Sequence, residues 1–72
     1  MKNFTLDEIS ELGYSHGWVF GKYTEQAKLD DDLKLFLDNS KQGIIAYMSS
    51  YNDGFNAGVA DSLRSSDAEL EQ

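Results

Sequence analysis

The single histidine, His16, is the one side chain of this 72-residue sequence suited to general base chemistry near neutral pH. It sits between Tyr14 and Trp18, and no serine, aspartate and histidine share a local spacing that suggests a triad. Three adjacent carboxylates, Asp30, Asp31 and Asp32, have the oxygen chemistry of calcium or magnesium ligands. They lack the alternating acidic positions, central glycine and closing glutamate of an EF-hand loop, so they read as a helix start in a solvated charge run. Gly13, Gly17 and Gly21, followed by Lys22, have the wrong spacing for a phosphate loop, and no strand precedes them. With no cysteine there is no thiol nucleophile, no disulfide and no His/Cys metal cluster. A chain this short also rarely encloses a pocket. These groups do not converge on a reaction. The expected function is binding rather than catalysis, with no cofactor and no metal.

The elements that position these residues belong to one small domain of 8.1 kDa. A chain of this size buries only about 60% of its unfolded surface, so its core is thin. A hydrophobic fraction of 40% with 12% aromatic residues is more than a solvated linker needs, and the chain is expected to fold. Six Lys and Arg against thirteen Asp and Glu give a net charge of −7. That argues against direct nucleic-acid binding, which needs positive charge to neutralise phosphates. No apolar run is long enough to cross a membrane. Met1-Lys2-Asn3-Phe4 carries no apolar leader segment, so a cytoplasmic location is expected.

Thr5-Leu6-Asp7-Glu8 fits a capping box, and Phe4 and Ile9 can form a hydrophobic staple. Apolar residues recur at Leu6, Ile9, Leu12, Tyr14, Trp18, Val19, Tyr23 and Ala27, predicting a first helix over 5–28. Leu29, Leu33, Phe36 and Leu37 predict a short helix over 31–38, with Asp30 or Asp31 as cap. A strand through 33–37 is the competing assignment. A third helix is predicted over 43–63, with Tyr47, Tyr51, Phe55, Val59 and Leu63 as a packing face. Residues 1–64 form the expected domain, and 65–72 an acidic flexible tail.

Small residues spaced by four mark both long helices. Gly13, Gly17 and Gly21 lie in the first, and Ala46, Ser50, Gly54, Gly58 and Ser62 in the third. Five helical glycines cost about 5 kcal/mol against alanine, comparable to the stability of a small domain. A sequence that retains them gains from close approach. The stretch from Tyr14 to Gly21 repeats from Tyr51 to Gly58 at a spacing of 37, as Tyr-x-x-Gly-aromatic-x-x-Gly. The expected fold is all-α: two long helices packed as a hairpin through these stripes, with the short middle helix folded across them. Tyr14, Trp18, Tyr51 and Phe55 are expected to wall the contact with their rings. A homodimer would fill the stripes if the intrachain contact did not.

The run Tyr51-Asn52-Asp53-Gly54-Phe55-Asn56-Ala57-Gly58-Val59-Ala60-Asp61 resembles the second helix of ribosome modulation factor and its small two-helix relatives. Gly13-Tyr14-x-x-Gly17 is similar to the Gly-Tyr-x-x-Gly of their first helix. The resemblance implies a helical hairpin and a ribosome-associated role. Those relatives are basic and bind ribosomal RNA, whereas this chain is acidic. In overall type the chain also resembles small phage-encoded inhibitors of host proteins.

The carboxylates cluster at Asp7, Glu8 and Glu11, at Asp30, Asp31 and Asp32, and at Asp67, Glu69 and Glu71. Such clusters steer a protein onto basic surfaces. Phe20, off the main apolar stripe, offers an aromatic anchor, as do Trp18, Tyr23 and Phe36. The leading expectation is a small acidic protein-binding module. It would act as a phage-type inhibitor that occupies the basic surface of a host nucleic-acid-handling protein as a nucleic-acid mimic. Asp7, Glu8, Glu11, Phe20, Asp30, Asp31 and Asp32 would make the contact. The alternatives are a ribosome-associated factor and a structural homo-oligomer joined through the glycine stripes.

Overall fold

Thr5 starts the first helix as its sequence demands. In a computed structural model, which describes the backbone of residues 4–70 and the side chains of residues 4–64, helix α1 spans Leu6–Tyr23. The Glu8 amide donates to Thr5 Oγ1 at 3.1 Å, and the Thr5 amide donates back to the Glu8 carboxylate at 3.3 Å. This box satisfies two amides that the helix itself leaves without partners. The helix ends at Tyr23, not at 28 as the periodicity predicts. Thr24 turns left-handed at φ 57° and donates its amide to the Phe20 carbonyl at 2.8 Å. The glycine stripe ends at Gly21, the next position at that spacing being Glu25, and close packing is what sustains a short helix.

Helix α2 covers Asp31–Asn39, one residue beyond its predicted end. Asp30 takes the cap position without a side-chain bond, while Asp31 and Asp32 lie at the positive end of the helix dipole. Ser40 then joins two helices. Its amide donates to the Leu37 carbonyl at 3.4 Å, and its Oγ accepts from the Gly43 amide at 3.0 Å. Because Ser40 caps it, helix α3 begins at Lys41 rather than 43 and runs to Leu70. The flexible tail expected from residue 65 is therefore helical through Leu70. Ser65-Ser66-Asp67-Ala68-Glu69-Leu70 holds no glycine or proline to stop it. The last two residues, Glu71 and Gln72, lie outside the described residues.

The chain is all-α, and α1 packs along α3. The pairing residues rise together: Gly13 with Tyr47, Gly17 with Tyr51, Gly21 with Phe55. The two helices of the pair thus run in the same direction. The segment 24–30 and α2 carry the chain back, and Phe36 of α2 meets Phe4 edge-on at 5.5 Å between ring centres. The body measures 51 × 18 × 14 Å.

The contact between α1 and α3 is backbone on backbone. A Cβ on Gly13 would stand 2.5 Å from the Tyr47 carbonyl oxygen. Cβ atoms on Gly17 and Gly21 would collide with the carbonyls of Tyr51 and Phe55, and those on Gly54 and Gly58 with the carbonyls of Tyr14 and Trp18. Adding 37 to Gly17 and Tyr14 gives Gly54 and Tyr51, so the Gly17–Tyr51 contact is mirrored by Gly54–Tyr14. The sequence repeat is a local two-fold relation between the helices. The carbonyls of Tyr14, Trp18, Tyr51 and Phe55 occupy the glycine notches, and their rings line the hollows on the two flanks of the seam. The stripes are filled within one chain, so a subunit contact through them is not needed to cover them. Gly43 differs, since its Cβ would meet the Phe36 and Ser40 side chains.

Little else is buried. Among the described residues Ile9 and Leu33 are the buried large apolar side chains. Leu6, Tyr14, Tyr23 and Leu63, read from the sequence as packing positions, are exposed because the backbones approach too closely for side chains to enter the seam. Gly17→Ala and Gly54→Ala should each lower stability by about 2 kcal/mol, despite gaining about 1 kcal/mol of helix propensity. Chemical denaturation should give the two variants similar losses, because each adds a methyl group at the equivalent contact.

Candidate functional site

Displacing the rings from the seam builds a groove beside it. Phe20 of α1 and Tyr47, Met48, Tyr51, Asn52 and Phe55 of α3 line an open, mainly apolar hollow of about 530 Å³. The Phe20 ring lies 5.6 Å from Phe55 and 6.4 Å from Tyr51, and Tyr47 lies 6.0 Å from Tyr51. Tyr47, Tyr51 and Phe55 recur every four residues, which stacks them along one side of α3. Phe20, expected as a partner contact, is thus half-buried in an aromatic wall.

His16, one turn before Phe20, closes one end of this wall. Its Nδ1 hydrogen-bonds the Tyr47 hydroxyl at 2.8 Å, the tautomer deciding which group donates. Burial holds the imidazole below its ordinary value of 6.5, and the Asp30 carboxylate offsets part of that effect. Burial, then the neighbouring Tyr51, raises the Tyr47 phenol.

The opposite face carries the related hollow. Tyr14, Ser15 and Trp18 line about 290 Å³, and adding 37 gives Tyr51, Asn52 and Phe55 of the groove. The counterparts of Phe20, Tyr47 and Met48 are Ala57, Ser10 and Glu11, so this face lacks the aromatic and methionine wall. Beside it, Lys22 pairs with Asp61 at 2.5 Å and lies 5.0 Å over the Trp18 ring. Arg64 also reaches Asp61, at 3.2 Å. The Lys22 bond holds the Asp61 carboxyl below its ordinary value.

The carboxylates expected to meet a partner are exposed. Asp7 and Glu8 occupy the first turn of α1, where Glu8 is engaged by Thr5. Glu8 and Glu11, with Phe4 and Leu12, line a shallow hollow of about 270 Å³. Helix α2 packs on α3, where Gly43 faces Phe36, and Phe36 meets Phe4 just before α1, so α2 lies toward the N-terminal half of the helix pair. Both acidic clusters therefore occupy that half. Gly13, Gly17, Gly21, Gly54 and Gly58 form the seam, and Ser50 lies half-buried at the position related to Gly13.

Sequence reasoning missed Tyr47, Met48 and Asn52 as groove residues and His16 as their neighbour. The four-residue spacing was visible, but it was read as a face turned onto α1. Among the described residues no three His, Cys, Asp or Glu side chains converge on a metal-sized site. No helix is long and apolar enough to cross a membrane among these residues. Comparison of the chain with protein-family models, with curated proteins and with solved structures gave no match.

The half-buried imidazole makes stability depend on pH. Unfolded, His16 takes up its proton near 6.5, and folded it does so only at lower pH. The unfolded chain binds more protons in between, so stability is full above that value and falls as the solution is acidified through it. Thermal melts should show a decline from neutral pH to pH about 5 that His16→Gln removes.

Proposed function

We propose that the chain is a non-enzymatic binding module that seats its acidic half on a basic surface of a larger protein, where it displaces nucleic acid. The observation that supports this is the exposure of two acidic clusters, Asp7, Glu8 and Glu11 on α1 and Asp30, Asp31 and Asp32 at the start of α2, while the aromatic groove is lined by no carboxylate. A net charge of −7 on an 8.1 kDa body gives a strong field for steering onto a cationic groove. A partner that normally holds a phosphate backbone presents such a groove. The Phe20 edge of the aromatic wall supplies an apolar anchor beside the charges. A small acidic inhibitor of the kind phages direct at host nucleic-acid enzymes fits this description.

The second reading is a ribosome-associated factor. It is favoured by the seam, since Gly17, Tyr14, Gly54 and Tyr51 carry both the resemblance to the two-helix ribosomal proteins and the interhelical contact.

Affinity capture from a host lysate at two salt concentrations separates the two. The first reading expects one dominant, salt-sensitive nucleic-acid-handling protein, whose complex with DNA or RNA the added chain dissociates in a gel shift. Replacing Asp30, Asp31 and Asp32 together by asparagine should weaken that capture about 10-fold and flatten its salt dependence. Unchanged capture by this variant and by a matching Asp7, Glu8 and Glu11 variant would sink the acidic-contact reading. Cosedimentation with ribosomes at low salt would favour the second.

A further inference from the structure

We infer that two copies of the chain associate through the outward face of α3, with the two α3 helices antiparallel. Opposite the glycine seam, Ile45, Ser49, Asn52, Asn56, Val59 and Leu63 follow one another at intervals of four and three. That alternation is the seam spacing of a paired helix. Within the chain this face stands mostly open: Ile45 is 60% exposed and Leu63 61%, and Met48 beside them 65%, while Val59 is half-buried.

The face is complementary to its own reverse. A two-fold axis at the level of Gly54 sets Ile45 against the partner's Leu63 and Ser49 against the partner's Val59. It also sets Asn52 against the partner's Asn56. Symmetric pairing needs this, because residue i must suit residue j in both directions. The central asparagines each carry an amide donor and acceptor and can bond reciprocally. Buried asparagines at such positions fix register and partner number.

Charge selects a second copy over a foreign occupant. Two chains of −7 repel one another over most of their surfaces. From Gln42 to Ala60, however, α3 carries a single ionised side chain, Asp53, and it lies off this stripe. Like copies can meet here without opposing carboxylates, whereas a basic partner is drawn to the acidic half instead.

This face holds none of the carboxylates assigned to a basic partner, so either inference can fail alone. Sedimentation equilibrium of the full chain should give twice the 8.1 kDa mass. Ile45→Glu and Leu63→Lys should each weaken self-association about 100-fold through an unpaired charge at the seam, with helicity retained in circular dichroism. Together in one chain, they should restore the dimer, because the antiparallel register sets each new charge against its opposite. The sequence has no cysteine, so Ile45→Cys with Leu63→Cys should give a covalent dimer on oxidation without relying on the charged variants. A wild-type chain at 8.1 kDa throughout overturns the inference. So does a dimer indifferent to both charge substitutions, or failure of both the restoration and the cross-link.

Discussion

Where helices usually meet through interleaved side chains, α1 and α3 meet through glycine Cα–H groups set against carbonyl oxygens. The hydrogen standing in for each Cβ points at the partner backbone, the geometry of a Cα–H···O contact worth about 0.5–1 kcal/mol. Close approach adds dispersion along the whole seam. Together these are of the size of the helix propensity lost at five glycines, about 5 kcal/mol. None of the glycines has a positive φ, and the one described residue that does is Thr24. Glycine is thus used for the absence of a side chain, not for backbone freedom. Everything outside the seam follows from this choice: rings are pushed to the flanks, and the large apolar core shrinks to Ile9 and Leu33.

The two-fold relation between the helices is obeyed where backbones touch and broken where side chains face solvent. Phe20, Tyr47 and Met48 have the small or polar counterparts Ala57, Ser10 and Glu11. One flank of the seam therefore carries an aromatic wall, and the other a shallow hollow edged by the Lys22–Asp61 pair. A small chain acquires two unlike surfaces from two like helices. The substitutions that make them unlike leave Gly13, Gly17, Gly21, Gly54 and Gly58 untouched.

Much of this was written in the sequence. The Thr5–Glu8 box, the middle helix and the repeat that joins Tyr14 and Gly17 to Tyr51 and Gly54 were all legible. Their signals are local hydrogen-bond chemistry or side-chain size at fixed spacing. The direction of the pair was less plain, because an apolar stripe on each helix suits either direction. The exchange of contacts between Gly17–Tyr51 and Gly54–Tyr14 closes only when both helices rise together. The helix ends at Tyr23 and Leu70 were misplaced for opposite reasons. Beyond Gly21 the apolar pattern continues but the glycine stripe does not, Glu25 standing at its next position, while beyond Leu63 nothing in the sequence halts a helix already propagating. The groove was hidden because a spacing of four at Tyr47, Tyr51 and Phe55 does not reveal whether rings or carbonyls enter the seam.

Parallel pairing also governs how the chain reaches this state. An antiparallel helical pair can zip from its turn, each new contact lying close in sequence to the last. Here Gly13 meets Tyr47 and Gly58 meets Trp18, so every seam contact joins residues separated by roughly half the chain. No contact of the seam can form between neighbours in sequence. The loop through 24–30 and α2 must close before the first glycine finds its carbonyl, and the entropy of that closure falls on the folding barrier. The molecule combines the secondary structure of a fast-folding helical bundle with the contact topology of a slow-folding sheet.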